Sequence, residues 1–270
     1  MNTVFEWIKK AGERTVFYLR FLYLMTYVEF LSIKGRFILR VVSSLIPLVF
    51  QALVLIFILP VLGISAEYTK LVVMSRLFIS DAISSSASLL SGLGTVGDLE
   101  QALMAPVPWW LVLLGRMFGF ALRMFSMTVI LIPFVVVFLK GKFVFSILSI
   151  VLLMFSLVLI QFFDAVMGLW GASYTKKMSE IVRVWARVIN PMSFIATFSP
   201  KWPMIISSYP VGGWLLLANP FLYVHEMGRS AVFGSSGFIP PVICALMLVV
   251  FSLIFAFFGL RRLKRRFDLV

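Results

Sequence analysis

Runs of apolar residues about as long as a bilayer is thick recur along this chain of 270 residues. A membrane-spanning α-helix needs about 20 mostly apolar residues, and the sequence offers six such runs, with weaker hydropathy in the second and a proline break in the fifth. The runs cover residues 37–62, 71–93, 111–139, 143–170, 188–206 and 238–260. With 61% hydrophobic and 13% charged residues, the chain has too little polar surface for a water-soluble globule. The sequence therefore predicts an all-α polytopic membrane protein with six transmembrane helices in a single domain, residues 1–270.

Lysine and arginine are distributed unevenly among the predicted loops. They concentrate in residues 1–40, in the segment after the fourth run and in the tail beyond residue 260. In a six-span arrangement these three segments lie on one side of the membrane, and the positive-inside rule makes that side cytoplasmic. We therefore expect an integral cytoplasmic (inner) membrane protein with both termini in the cytoplasm. The net charge of +13 then indicates attraction to anionic membrane lipids, and not binding to nucleic acid.

The segment before the first run, residues 1–36, mixes charged and apolar residues at helical spacing. This pattern predicts an amphipathic helix that lies on the cytoplasmic face of the membrane. The alternative is a short extra span over residues 17–31, which would bury Arg20 and Glu29 at high cost. No small-residue cleavage site follows a compact apolar core, so a cleaved signal peptide is not expected.

Motifs that support catalysis are missing from the sequence. It contains no Gly-x-x-x-x-Gly-Lys-Ser/Thr phosphate loop and no His-Glu-x-x-His or Gly-x-Ser-x-Gly motif. His225 is the single histidine and Cys244 the single cysteine, which gives no multi-histidine metal site and no intrachain disulfide. We therefore predict a protein that is not an enzyme and that holds no metal or cofactor of its own.

The connector between the second and third runs carries a helix signal. Asp98 can cap a helix that ends before Pro106, with acidic and amide side chains in its first turn. A helix of about two turns is marginal alone in water, which favours a docking element held by a partner over a simple connector. The residues assigned to this predicted docking helix, residues 98–105, and its end are Asp98, Glu100, Gln101, Leu103 and Pro106.

A second informative segment precedes the last run. Pro220, after Asn219, can start a helix on which Glu226 and Arg229 lie three residues apart and can pair. The apolar stretch before it is broken by several prolines and by a pair of glycines. Broken helix cannot face lipid with unsatisfied backbone groups, so we expect re-entrant helices buried in protein at the outer face, or else an unusually apolar external loop.

Taken together, these features resemble a known family. The amphipathic N-terminal segment, the six spans, the connector from Gly97 to Pro106 and the closing Asn-Pro…Glu-x-x-Arg pattern resemble the type-2 ABC transporter permeases, above all their polysaccharide and teichoic-acid exporters. The resemblance implies a homodimer with two separate ABC ATPase subunits, which bind ATP and Mg²⁺. It also implies that residues 98–105 form the coupling helix to the ATPase and that transport is export.

Polar residues inside the predicted spans mark a possible cargo path, because intramembrane charges are costly. The residues assigned to this path are Asp81, Ser85, Arg123 and Asp164. An equally acceptable interpretation is structural: Arg123 pairs with one of the two aspartates, and the serines around Ser85 allow tight helix packing. Gly115 and Gly119 form a Gly-x-x-x-Gly pattern that is typical of helix contacts.

The function predicted from these features is that of a permease subunit of an ATP-driven exporter. Its cargo would be a lipid-linked glycan, a lipid or another amphipathic molecule that moves outward by alternating access. Two alternatives stay open: a membrane scaffold or assembly factor without transport, and an ion-coupled carrier. Carriers often show internal repeats with matching broken helices, and no repeat is visible in this sequence.

Overall fold

The computed structural model describes residues 15–28, 31, 37–78, 107–139, 146–175 and 177–267. All regular secondary structure in these ranges is helical, which confirms the all-α class. The helices are α1 (Thr15–Val28), α2 (Phe37–Val61), α3 (Ala66–Phe78), α4 (Trp109–Leu139), α5 (Ile147–Tyr174), α6 (Met178–Val184), α7 (Asn190–Phe198), α8 (Trp202–Ser208), α9 (Pro210–Leu216), α10 (Pro220–Phe233) and α11 (Pro241–Phe267). A π-helical turn, Trp185–Ile189, joins α6 to α7.

Four of the described helices are long and apolar enough to cross a bilayer, and they indicate a membrane protein. Their apolar stretches are Val41–Ile58 in α2, Trp109–Val137 in α4, Ile147–Tyr174 in α5 and Pro241–Arg265 in α11. Each falls within or closely overlaps one of the predicted runs. For the second run the structure describes only the first part, in α3. The fifth run covers the end of the π turn, all of α7 and most of α8, with a break at residues 199–201.

The centre of the molecule is built around α5, whose second half is almost entirely buried. Phe163 of α5 contacts Phe221 of α10 and Phe255 of α11 edge to face, with ring centroids 5.8 and 6.4 Å apart. On another side, Phe162 meets Phe118 of α4 at 5.5 Å. These aromatic contacts place α10, a helix too short to span a bilayer, in the interior beside the spanning helices.

The N-terminal helix α1 packs against the first turns of α4. A Cβ at Gly115 would lie 3.3 Å from Cβ of Met25 and 3.6 Å from a methyl carbon of Leu22. Because Gly115 has no side chain, α1 can pack closely against α4 at this position. Close helix packing of this kind is what the Gly-x-x-x-Gly pattern predicts. Near the start of α4, the rings of Tyr18 and Trp110 lie 6.5 Å apart.

The rest of α1 exposes apolar side chains. Its exposed large hydrophobic residues are Val16, Phe17, Leu19, Tyr23, Leu24, Tyr27 and Val28. Arg20 is also exposed. A helix with one side on protein and a mixed apolar and cationic remainder fits a membrane surface. The first part of the predicted amphipathic segment, residues 1–14, lies outside the described residues.

Helix α6, the π turn and α7 form one continuous helical stretch over residues 178–198. Pro191 follows the wide turn, and because proline has no N–H to donate, regular α-helical bonding cannot pass through it unchanged. The stretch ends at Phe198, just before Pro200. The chain then forms three short helices, α8 to α10, before α11 begins, and these short helices contain the most polar buried cluster of the described protein.

Candidate functional site

The break between α7 and α8 creates unsatisfied backbone groups at two helix ends. Helix α7 ends at Phe198 and α8 begins at Trp202, with Ser199, Pro200 and Lys201 between them. A helix C-terminus leaves carbonyl groups without intrahelical partners, and a helix N-terminus leaves N–H groups without them. When such ends are buried, other groups of the protein must supply the hydrogen bonds. Here α10 supplies them through two charged side chains.

Arg229 caps the end of α7. Its guanidinium is fully buried and uses all three of its nitrogens. Nη1 donates to the carbonyl oxygen of Ser199 at 2.9 Å, and Nη2 donates to that of Thr197 at 2.6 Å. Nε donates to Oγ of Ser75 on α3 at 2.6 Å. One side chain therefore joins α10, α7 and α3.

Glu226 satisfies the backbone on the other side of the break. One carboxylate oxygen accepts from the backbone N–H of Trp202 at the start of α8, at 3.2 Å. The other accepts from the backbone N–H of Ile239 at 2.9 Å, in the segment that leads into α11. Glu226 and Arg229 lie on one face of α10, as predicted, but they bind different groups: Glu226 accepts from the backbone N–H groups of Trp202 and Ile239, and Arg229 donates to two carbonyl groups and to Ser75. We call these two residues with Ser75, Thr197 and Asn219 the break cluster.

Asn219 fixes the other end of α10. Its side-chain oxygen accepts from the backbone N–H of Phe221 at 3.1 Å, and its Nδ2 donates to the carbonyl oxygen of Met192 at 2.8 Å. Pro220 occupies the first turn, which confirms the predicted helix start. Asn219 thus caps α10 and attaches it to the middle of α7.

These contacts give α10 a direction. Its N-terminus lies beside Met192, whereas Arg229 lies beside Thr197 and Ser199 at the end of α7. His225, between them, places Nε2 3.2 Å from Oγ1 of Thr197. Helix α10 therefore runs parallel to α7. To reach its start, the chain turns back along α7 from Ser199 to Met192, a distance of about 10 Å at the helical rise.

Helices α8 and α9 form a tight hairpin that makes this return. A Cβ at Gly213 would lie 2.8 Å from Cα of Ile206, so only glycine allows the two helices to approach this closely. Nε1 of Trp202 donates to the carbonyl oxygen of Gly213 at 2.9 Å. Each helix has seven residues, about 10 Å, which is far short of a bilayer's hydrocarbon core.

Burial dominates the electrostatics of the cluster. It raises the pKa of Glu226 above its usual range, and the hydrogen bond from Ile239 and the charge of Arg229 oppose this shift. Burial lowers the pKa of Arg229 to about 10, against the stabilising charge of Glu226. At neutral pH Arg229 therefore remains a cation, surrounded by oxygen acceptors. Removing any one partner would leave a charge or a backbone group buried without compensation.

Sequence reasoning singled out Glu226 and Arg229 but missed several residues that position them. Oη of Tyr68 on α3 donates to the carbonyl oxygen of Phe198. The ring of Phe78 lies where a Cβ of Gly228 would be, at 2.4 to 2.7 Å, so α3 packs directly onto the α10 backbone. Ser75, which accepts from Arg229, is 154 residues away in sequence. The Ser199-Pro200 break was the available signal that buried donors must lie nearby.

The predicted cargo-path residues Arg123 and Asp164 lie elsewhere, on α4 and α5. Asp164 is 3% exposed, and Arg123 is partly exposed. Nε2 of Gln161, one turn before Asp164, donates to Oγ1 of Thr128 at 3.1 Å. This contact and the Phe118–Phe162 contact lie on either side of Arg123 along α4, which puts Arg123 at about the depth of Gln161. The other two residues of the predicted path, Asp81 and Ser85, lie outside the described residues.

The predicted coupling helix, residues 98–105, also lies outside the described residues. The same holds for its assigned residues Asp98, Glu100, Gln101, Leu103 and Pro106, so this assignment stays a prediction. The described chain resumes at Val107, and α4 starts two residues later at Trp109.

The break cluster is suited to holding helices in place. Its charges are committed to backbone groups and to one serine hydroxyl, and its geometry fixes the return of the chain between α7 and α11. Comparisons with protein-family models, with curated proteins and with solved structures find no match to this chain.

Proposed function

We propose that this chain is the permease subunit of an ATP-driven exporter of the type-2 ABC kind. It acts as a homodimer with two separate ATPase subunits, in the cytoplasmic membrane. Its cargo is a lipid-linked glycan, a lipid or another amphipathic molecule. The observation that carries the proposal is the interruption of the helix after α7. At this break Arg229 binds the carbonyl end of α7 and Glu226 binds the N–H end of α8.

Interrupted helices are restricted to certain places in a membrane protein. Backbone outside regular helices is tolerated at membrane depth only when it is buried in protein or lines a water-filled cavity. Discontinuous helices are accordingly common where transporters bind or pass their cargo. The return of the chain through α8 and α9, and the full burial of Glu226 and Arg229, support helices that re-enter the outer half of the membrane.

A polar face on the helix of residues 178–198 supports a path beside it. Arg183, Arg187 and Asn190 are exposed on this stretch, and Asn190 lies near its middle. Asn190 belongs to the proposed fifth span, residues 188–206, and Arg183 and Arg187 precede it at the cytoplasmic side. Because a polar side chain facing lipid is costly, this face is better accommodated against a second copy of the chain, or beside the aqueous path between two copies.

The proposal keeps the six-span arrangement predicted from the sequence. In the proposed topology α2, α4, α5 and α11 cross the membrane, residues 188–206 form the interrupted fifth span, and α3 begins the second span. Both termini are then cytoplasmic, and α1 lies on that surface. Residues 98–105 face the ATPase, whose ATP-driven closure moves them and switches the spans between two states.

The test is a charge reversal in the proposed coupling helix. In the purified complex of permease and ATPase, Glu100→Arg is expected to abolish cargo-stimulated ATP hydrolysis, while membrane insertion is retained. The matched control is Glu67→Arg, the same reversal at an exposed position of α3. It is expected to leave the stimulation unchanged.

Purification from native membranes separates this function from its alternatives. An ATPase with a Walker-type phosphate loop, recovered in equal copy number, is the expected result. Recovery of the chain without an ATPase, under conditions that keep a reference ABC complex intact, would contradict the proposal. An ion-coupled carrier would then transport cargo without ATP, and a scaffold would not transport it at all.

A further inference from the structure

An apolar groove with a volume of about 220 Å³ lies between α4, α5 and α11. Its walls include Leu114, Phe162 and Leu253. Two of its lining residues on α11 are well exposed, Val249 at 42% and Leu253 at 66%, so the groove opens sideways along that helix. All three helices belong to the four that can cross a bilayer. In a bilayer, a groove that opens sideways between such helices faces lipid.

The length of the groove matches one membrane leaflet. Its lining residues on α11 run from Leu248 to Leu260, a rise of about 18 Å along the helix. Half of a typical hydrocarbon core is about 15 Å. The groove is thus long enough for one acyl chain that enters from one surface of the bilayer, and too short for a molecule that spans both leaflets.

One end of the groove is basic. Helix α11 continues beyond Leu260 with Arg261, Lys264 and Arg265, all exposed. Lys264 follows Leu260 by four residues, which puts it on the same face of the helix as the groove.

Aromatic residues lie at the start of the opposite wall. Trp110 lines the groove at the first turn of α4 and lies near the ring of Tyr18. Tryptophan and tyrosine favour the membrane interface. This pair is consistent with a groove whose basic end lies at the level of the lipid headgroups.

We propose that this groove holds one acyl chain of an anionic phospholipid, whose phosphate group lies at Lys264. The apolar wall recognises the chain, and the basic end selects the headgroup. A zwitterionic lipid has the same chains without the net negative charge, so it fills the groove less well. The proposal requires only that α11 crosses a bilayer, and it is independent of the transport function.

The test uses lipids with brominated chains, which quench tryptophan fluorescence on contact. The full chain is reconstituted in phosphatidylcholine vesicles that contain a minor share of brominated phosphatidylglycerol or of brominated phosphatidylcholine. The quenching that arises at the groove is the fluorescence quenching of the wild-type protein minus that of the Trp110→Phe variant. It is expected to be larger with the anionic lipid. Equal quenching by the two lipids would overturn the proposal.

A charge variant tests the headgroup contact. Lys264→Glu is expected to reduce the relative affinity for phosphatidylglycerol about fivefold, the factor that corresponds to about 1 kcal/mol for one basic residue near the surface. The matched control is Lys70→Glu on α3, away from the groove, which is expected to change nothing. Lys264 is exposed, so this variant should fold normally. A normally folded Lys264→Glu protein that keeps the full preference would contradict the role of the basic end.

A filling variant tests the chain contact. Ala256 lines the groove, so Ala256→Phe is expected to remove the Trp110-dependent quenching by both lipids. Val250→Phe introduces the same side chain at an exposed position of α11 outside the groove and should keep it. Unchanged quenching in Ala256→Phe would show that the chain lies elsewhere, and would overturn the proposal.

Discussion

Helices α2 and α10 represent opposite ways of placing a helix in a membrane protein. Helix α2 has 25 residues, carries no charged residue in its apolar stretch Val41–Ile58, and buries only Leu48, Ala52 and Leu55 among its described side chains. Helix α10 has 14 residues, includes Glu226 and Arg229, and is buried from Pro220 to Val232. The more polar helix is the more deeply enclosed one.

The difference shows which solvent each helix is adapted to. The exposed side chains of α2, such as Phe50 and Phe57, are compatible with lipid, so α2 needs few protein partners. The charges of α10 would be costly in lipid, and they are stable only where other groups are arranged around them. Its backbone and side chains therefore depend on α3, α7 and α8. Substitutions in α10 and at its contacts should accordingly cost far more than substitutions on α2.

The largest effect is expected at Arg229. Arg229→Met removes the donors to Thr197 and Ser199 and leaves two buried carbonyl groups unsatisfied beside the carboxylate of Glu226. Breaking a buried charged arrangement on one side typically costs about 3–5 kcal/mol. We expect poor yield and a strongly lowered midpoint of thermal unfolding in detergent. The control is Arg20→Met, at an exposed position of α1, which should stay within about 0.5 kcal/mol of wild type.

An intermediate effect is expected at the hairpin that leads to α10. Gly213→Ala places a Cβ 2.8 Å from Cα of Ile206, and overpacking of this kind costs about 1–3 kcal/mol. The neighbouring Gly212→Ala meets only Cβ of Tyr209 at 3.8 Å, an ordinary contact. It should be neutral or slightly stabilising, because alanine favours a helix over glycine. Equal unfolding midpoints for the two variants would mean that α8 and α9 do not pack this closely.

The smallest effects are expected from one conservative substitution in α2 and one in α10, which compare the two helices directly. Phe50→Leu on α2, at 68% exposure, should change the free energy of unfolding by less than about 0.5 kcal/mol. Phe221→Leu on α10, at 5% exposure and in contact with Phe163, should cost about 1 kcal/mol. Thermal unfolding in the same detergent measures both. A larger loss for Phe50→Leu would indicate that α2 packs against protein, for example a second copy of the chain.

Much of the fold was predictable because a helix that crosses the hydrocarbon core needs about 20 mostly apolar residues in a row, and such runs are visible in the sequence. The runs at 37–62, 111–139, 143–170 and 238–260 correspond to α2, α4, α5 and α11. The helix start at Pro220 was also predictable, since proline has no N–H to lose in the first turn. The prolines and glycines after Phe198 marked the place where regular helix would fail.

The partners in the break cluster could not be read from the sequence. Ser75 and Arg229 are 154 residues apart, and no local pattern distinguishes Ser75 from the other serines. The expected pairing of Glu226 with Arg229 rested on their spacing of three residues, but the tertiary structure directs both side chains toward the broken helix ends. Unsatisfied backbone groups can be anticipated from a proline break, whereas the side chains that reach them depend on how the helices pack.

The sequence by itself indicated a membrane protein, because its long apolar runs match the thickness of the hydrocarbon core of a bilayer. It also determined where the helices fail, through Pro200 and its neighbours. Only the tertiary structure decided that α10 lies inside the protein and runs parallel to α7. The physical reason is that Arg229 and Glu226 become stable in the interior only when the carbonyl and N–H groups of distant segments meet them there.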